Sequence, residues 1–188
     1  MFRLLEGKLV NLRVMEKEDL PLFAEWVNKP EFIGEYNPLR QISRTETEKD
    51  YEKSTLEQTG FIIEKKDRSK IGYICHFILA HPAGKLLEIG YFLAPSERGK
   101  GNGTEAVEIM VDYLFLSKDI MRVQACTDTR NLASQKVLEK TGFKKEGTMR
   151  KCLFVGGQLR DACLYSVLRE EWKEPKILTK LARNTCGK

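Results

Sequence analysis

Between Leu86 and Leu116 the sequence passes from an apolar strand segment (Leu86 to Leu93), through a turn with glycines at 99, 101 and 103, into a stretch with the apolar spacing of a helix. Ala106, Val107, Met110, Val111 and Leu114 fall on its inward face. A strand, a glycine-rich turn and a helix in direct succession commit a chain to an α/β unit. They also make an anion site. Glycine carries no Cβ, so a ligand can approach the backbone. The first turn of a helix presents N–H groups without intrahelical partners and a partial positive charge. A pyrophosphate suits such a site, and Arg98 and Lys100 add fixed charge beside it.

The glycine spacing excludes two other phosphate loops. A P-loop needs GxxxxGK followed by Ser or Thr. A dinucleotide fingerprint needs GxGxxG in an early βαβ unit, with an acidic residue at a second strand end. Here the pattern is GxGxG, late in the chain, with Arg98 at its head.

Elsewhere the periodicity predicts a strand over Lys8 to Val14 and a helix from an Asp19 cap through Asn28, with Pro21 in its first turn. Pro30 to Ile42 reads as a loop with more apolar surface than a linker needs. Thr45 and Glu48 predict a capping box opening a second helix to about Gln58. Strands are expected at Phe61 to Lys65 and Ile71 to Leu79, with turns at Asp67 to Ser69 and Pro82 to Gly84. Met121 to Thr127 reads as a strand, Asn131 to Lys140 as a helix closed by Gly142, and Phe143 to Met149 and Leu159 to Leu168 as strands joined through Gly156-Gly157. The tail from Arg169 reads as a polar, fraying helix. This order predicts a mixed α/β fold, with antiparallel hairpins and at least one parallel crossover.

The 188 residues fit one domain, and 41% hydrophobic with 31% charged residues is the balance of a folded soluble chain. The apolar runs are too short to span a bilayer, and Met1 to Lys8 lacks the apolar core of a signal peptide, so a cytoplasmic location is expected. The net charge of +5 suits an anionic ligand but does not by itself argue for nucleic acid. Aromatic and basic residues are not interleaved as a stacking groove requires, which argues against DNA or RNA. The five cysteines form no CxxC pair, and four lie in apolar stretches, where a thiol packs as a small hydrophobe. With only His76 and His81 beside them, no metal site is expected.

The pattern Arg98-x-x-Gly101-x-Gly103 resembles the coenzyme A pyrophosphate loop of the GNAT acetyltransferase superfamily. The stretch from Asn131 through Ser134, Glu139-Lys140 and Gly142-Phe143 resembles the second signature of that superfamily. Lys145 to Arg150, Gly157 to Asp161 and Tyr165 to Trp172, with Leu12-Arg13, Glu18 to Leu20 and Trp26, look like its RimJ/RimL branch, the ribosomal-protein alanine acetyltransferases and their relatives. The resemblance spans roughly residues 8 to 172 and leaves a basic tail over 173 to 188, which packs on a partner subunit in a homodimer or hangs free.

The resemblance implies a single GNAT domain. Its mixed, mostly antiparallel twisted sheet is flanked by helices and splays at a β-bulge beside the acetyl-CoA strand. It further implies that Tyr91, Phe92 and Leu93 flank the pantetheine arm, that the amides of Arg98, Gly99, Lys100, Gly101, Asn102, Gly103 and Thr104 hold the pyrophosphate, and that Asn131, also a helix cap, touches the cofactor. The implied reaction is acetyl transfer from acetyl-CoA to a primary amine. The base is expected at Glu88, an acidic residue in an apolar run. Many relatives place an acidic tyrosine where this chain has Leu138; RimL-type enzymes use a serine that matches Ser134, although a thiolate with a pKa of about 8.5 can leave unaided. Phe32, Tyr36 and Tyr165 are expected to line the acceptor site. The branch implies a protein or peptide N-terminal amine as acceptor. A polyamine, amino acid or antibiotic, or a catalytically silent acyl-CoA-binding role, are the alternatives.

Overall fold

The alternating apolar residues of the strand segments bury one sheet face against α4 and α5 and the other against α1. The structure is a computed structural model and describes residues 5–53, 59–81 and 84–178. In chain order its elements are β1 (Leu5–Glu6), β2 (Val10–Val14), α1 (Leu20–Asn28), the single turn α2 (Pro30–Ile33), α3 (Arg44–Glu52), β3 (Thr59–Lys65), β4 (Lys70–His81), β5 (Gly84–Leu93), α4 (Asn102–Ser117), β6 (Arg122–Asp128), α5 (Leu132–Lys140), β7 (Lys144–Val155) and β8 (Gln158–Leu168). One sheet holds all eight strands in the order β1-β2-β3-β4-β5-β6-β8-β7. Neighbours are antiparallel except β5 and β6, which α4 connects as a crossover. This is the mixed, mostly antiparallel architecture expected from the sequence.

The two faces carry separate cores. Leu87, Ile89, Val123, Ala125, Tyr165 and Val167 meet Ala106, Val107, Met110 and Leu114 of α4 in the larger one. Full burial of a side chain such as Met110 or Leu114 contributes about 1.5–3 kcal/mol. On the opposite face Met15, Leu20, Trp26 and Ile62 form a smaller cluster under α1, joined by Phe23, Phe32, Tyr73 and Phe92. Side chains alternate along a strand. Tyr91 therefore points to the α4–α5 side of β5, whereas Glu88 and Phe92 point to the α1 side.

Several expectations are corrected, each for a local reason. α3 is capped two residues earlier than read: Ser43 Oγ accepts from Glu46 N at 3.1 Å, and the Glu46 carboxylate accepts from Ser43 N at 2.8 Å. Asp19 precedes α1 without capping it, because its carboxylate accepts from Arg13 at 2.9 Å and Lys70 at 2.6 Å. Part of the loop expected after Lys29 is the helical turn α2. β7 runs on to Val155, with shifted register between Met149 and Leu153, where Lys151 adopts φ +50° and its N–H donates to Asp161. Residues 169–178 form no helix. They dock on α4, where buried Asp112 accepts from Trp172 Nε1 and the N–H groups of Lys176, Ile177 and Leu178 at 2.7–3.1 Å. Cys152 is exposed rather than packed. The turn at 82–83, the expected helix end at Gln58, Cys186 and the tail from residue 179 lie outside the described residues. No helix among the described residues is long and apolar enough to cross a membrane.

Candidate active site

Among the described residues, β5 and β6 pair in register at two positions, Leu87 with Val123 and Glu88 with Gln124. Beyond Glu88, β5 continues to Leu93 against β4, and β6 continues to Asp128 against β8. The two strands therefore diverge and leave a wedge in the middle of the sheet. The β4–β5 register shows no shift, so the opening comes from the end of the β5–β6 pairing and not from a bulge against β4. Ala94 N donates to Ile71 O at 2.8 Å, which fixes the phase of the ladder. Alternate residues of an antiparallel pair face the partner. Glu88, Gly90 and Phe92 thus bond β4, while Tyr91 and Leu93 turn their backbone N–H and C=O groups into the wedge. An extended ligand laid there would pair with them as another strand would.

The loop at the end of β5 turns through Pro95–Glu97 and then through Gly99 and Gly101, at φ +74° and +87°. Both glycines hold a left-handed conformation that costs another L-residue about 1–2 kcal/mol. Gly101 occupies the cap position of α4 and supplies no side-chain bond. Among the described residues, no backbone N–H from Gly99 to Thr104 donates to a protein acceptor. Glu97 braces the loop, meeting Lys65 at 3.6 Å, Lys100 at 3.4 Å and the Asn102 side chain at 3.3 Å. Glu105, in the first turn of α4, does not consume the helix's own amides. Its carboxylate accepts from Lys8, Leu9 and Val10 N–H at 2.6–2.8 Å. A row of unspent amides at a helix N-terminus fits a diphosphate, and the open β5 edge fits an amide-bearing arm; both are features of coenzyme A. Arg98 has a different set of partners: Leu93, Glu31 and Phe32 carbonyls at 2.7–3.0 Å.

Glu88 sits at the vertex of the wedge, half-buried, and accepts from Gln124 Nε2 at 2.7 Å. The thiols of Cys75 and Cys126 lie near it. Burial first, with a contribution from the Glu88 charge, pushes them up to about 11 and about 12, so both stay protonated at neutral pH. On the opposite face, Tyr91 Oη stands 3.1 Å from Ser134 Oγ, in the first turn of α5. Asn131 caps that helix, its Oδ1 accepting from Ser134 N at 3.1 Å. Burial pushes the Tyr91 phenol up to about 12, partly offset by Ser134. A carboxylate on one side of the wedge and two hydroxyls on the other bracket any group threaded between.

Of the aromatic residues expected near the acceptor, Phe32 and Tyr36 lie on the Glu88 side. Phe32 stacks on Trp26, with ring centres 5.3 Å apart, and Arg130 covers the Tyr36 ring at 5.4 Å. Tyr165 does not join them. It is buried beneath α5, with its hydroxyl 3.0 Å from Glu139 Oε1 and 3.3 Å from Gln135 Oε1, because its register partner Ala125 faces the larger core. Sequence reasoning missed Gln124, Tyr91's hydroxyl and Arg130. A polar residue within the apolar run of β6 was the one available signal for Gln124.

The model of the acetyltransferase (GNAT) domain matches residues 10–144. Over 182 residues the chain is 33% identical to a probable N-acetyltransferase, YjcK, of Bacillus subtilis (strain 168), covering 89% of this chain and 98% of that one. Among solved structures it is similar to a spermidine N-acetyltransferase from Vibrio cholerae in complex with CoA and spermine (TM-score 0.79, 21% identity, 87% of this chain and 98% of that one). It is also similar to RimL, a ribosomal L7/L12 α-N-protein acetyltransferase in complex with coenzyme A (TM-score 0.77, 20% identity, 88% and 98%). The wedge, the unspent amides and these matches agree: the chain belongs to the GNAT acetyltransferases, and it transfers an acetyl group taken from acetyl-CoA.

Proposed function

We propose that the acceptor is the α-amine of a protein or peptide N-terminus and that Glu88 is the general base. The observation that carries this reading is the place of Glu88 at the wedge vertex, oriented by Gln124 and facing the α1 side. Acetyl-CoA supplies the acetyl thioester. Its diphosphate would lie on the amides of residues 99–104, with Asn131 beside its pantetheine arm. Glu88 takes a proton from the incoming ammonium, directly or through one water. The N–H of Tyr91, turned into the wedge, donates to the carbonyl oxygen as charge develops there. Ser134 and Tyr91 hydroxyls stand on the far side, where the sulfur departs and needs a proton.

A peptide acceptor is supported by the β7–β8 hairpin, whose tip lies at the end of the sheet where the wedge opens and where Met149, paired with Ala162, is exposed on the Glu88 face. That apolar side chain suits an extended chain better than a small cation. A polyamine is the second reading, favoured by Glu31 and Glu35 on the segment opposite. Thiol release from acetyl-CoA is measured against N-terminal peptides, spermidine and an aminoglycoside. A kcat/KM for the best peptide at least about tenfold above spermidine supports the first reading, and the reverse order overturns it. Glu88→Gln should lower kcat by about 100-fold and leave coenzyme A affinity within about twofold. Wild-type turnover of that variant across the pH range removes Glu88 from the reaction.

A further inference from the structure

The segment from Pro30 to Tyr36 crosses the mouth of the wedge on the Glu88 side, and an arginine from each lip holds it. From the β5 lip, Arg98 donates Nη2 to the carbonyls of Glu31 at 2.9 Å and Phe32 at 2.7 Å, and Nε to Leu93 O at 3.0 Å. The first two belong to α2, whose final carbonyls have no intrahelical donors. From the β6 lip, Arg130 is oriented by the Asp128 carboxylate at 3.0 and 2.8 Å and lies over the Tyr36 ring. Between them, Phe32 stacks on Trp26, which meets Phe92 of β5 edge-on at 6.2 Å. Gly34 holds φ +83° and ψ 164°, a region essentially reserved for glycine, and a Cβ there would come to 4.0 Å from both terminal nitrogens of Arg98.

A four-residue helix has no stability of its own. The order of α2 rests on these outside contacts, and the strongest, charge-assisted ones come from the loop that carries the cofactor amides. Arg98 heads that loop, yet three of its five N–H donors, on Nε and Nη2, go to protein carbonyls, and backbone N–H groups follow it in the loop.

We propose that Arg98 is a positioning residue for the amine acceptor, a strut through which the seated cofactor orders the strap of residues 30–36. Binding at residues 99–104 fixes the Arg98 backbone, and its guanidinium passes that order to α2, so the acceptor side of the mouth is completed once acetyl-CoA is in place. This rests on the reading that the loop binds the cofactor and that the amine enters over Glu88.

The test is hydrogen exchange of amides 31–36 with and without coenzyme A, in wild type, Arg98→Gln and Gly34→Ala. Gly34→Ala strains the strap itself, through the positive φ that follows the two carbonyls Arg98 holds, and leaves the cofactor loop untouched. In wild type, coenzyme A slows exchange of the strap by about fivefold or more. Both variants lose that slowing, still gain protection at 99–104, and keep a coenzyme A Kd within about threefold of wild type. In turnover with the fastest amine of the panel, Arg98→Gln raises KM for the amine by about fivefold or more and leaves KM for acetyl-CoA within about threefold, and Arg98→Lys recovers part of the loss. Strap protection that survives in Arg98→Gln overturns the proposal. So does a Kd weakened by about tenfold or more, which would put the guanidinium on the diphosphate. A wild-type strap that ignores bound coenzyme A overturns it while leaving the cofactor site standing; a wild type that binds no coenzyme A overturns both.

Discussion

Replacing Gly101 by alanine tests whether backbone geometry holds the cofactor. The residue caps α4 at φ +87°, and an added Cβ would meet Leu9 Cδ1 at 3.3 Å. The left-handed conformation costs a residue with a Cβ about 1–2 kcal/mol. The Leu9 contact adds little, since the tip of an exposed side chain can move. That strain must appear in one of two places. If the loop keeps its shape, folding stability falls by the whole amount, which lowers Tm by about 2–8 °C for a chain of this size. If the loop relaxes, stability is spared and coenzyme A must restore the strained shape, raising Kd by about 5–30-fold. The two losses, expressed as free energies, should sum to about 1–2 kcal/mol. Thermal unfolding of the free protein and calorimetric titration with coenzyme A measure both. Gly99→Ala, at φ +74° with nothing within 4 Å of its Cβ, carries the same conformational cost without the Leu9 contact. A Gly101→Ala protein with wild-type Tm and wild-type affinity would refute the reasoning.

Three further outcomes are expected. Ser134→Ala and Tyr91→Phe should each lower kcat by about tenfold if the hydroxyl pair protonates the sulfur, and thiol-release rates that match wild type in both would show that the thiolate leaves unaided. Asp112→Ala strips one carboxylate from three backbone N–H groups and the Trp172 indole, so it should cost about 3–5 kcal/mol and speed hydrogen exchange over 172–178. Burial alone would raise the Asp19 carboxyl, but hydrogen bonds from Arg13, Lys70 and Glu16 N–H outweigh it and bring it from 3.8 down to about 2. A carboxyl lowered on folding stabilises above its unfolded value, so about 2 kcal/mol should be lost as pH falls from about 4 through 2. Asp19→Asn should flatten that part of the acid-unfolding curve.

What the sequence discloses here is what is decided locally. The glycines at 99 and 101 announce positive φ because few other residues hold it without strain, and the inward face of α4 announces itself by spacing. The α3 cap was misread because Ser43-x-x-Glu46 and Thr45-x-x-Glu48 are the same pattern two residues apart; the one used is the one that leaves Thr47 buried. Tyr165 was misplaced for a different reason. Alternation along β8 separates its two faces but does not say which one meets α5; pairing with Ala125 decides that. Neither the Asp112 anchor nor the Arg98 strut could be read, since both join residues more than 50 positions apart through contacts that depend on the assembled fold.

The wedge also bears on how the protein survives between turnovers. An exposed strand edge invites pairing with other chains, and proteins usually blunt such edges with charge, proline or a covering helix. The edge of β5 beyond Glu88 has none of these on its own backbone line, for Ile89, Tyr91 and Leu93 are apolar or aromatic, and any blunting there would bar the ligand. On the proposed reading, bound coenzyme A would cover that edge instead, and the solubility of the folded enzyme should then follow cofactor supply as its activity does.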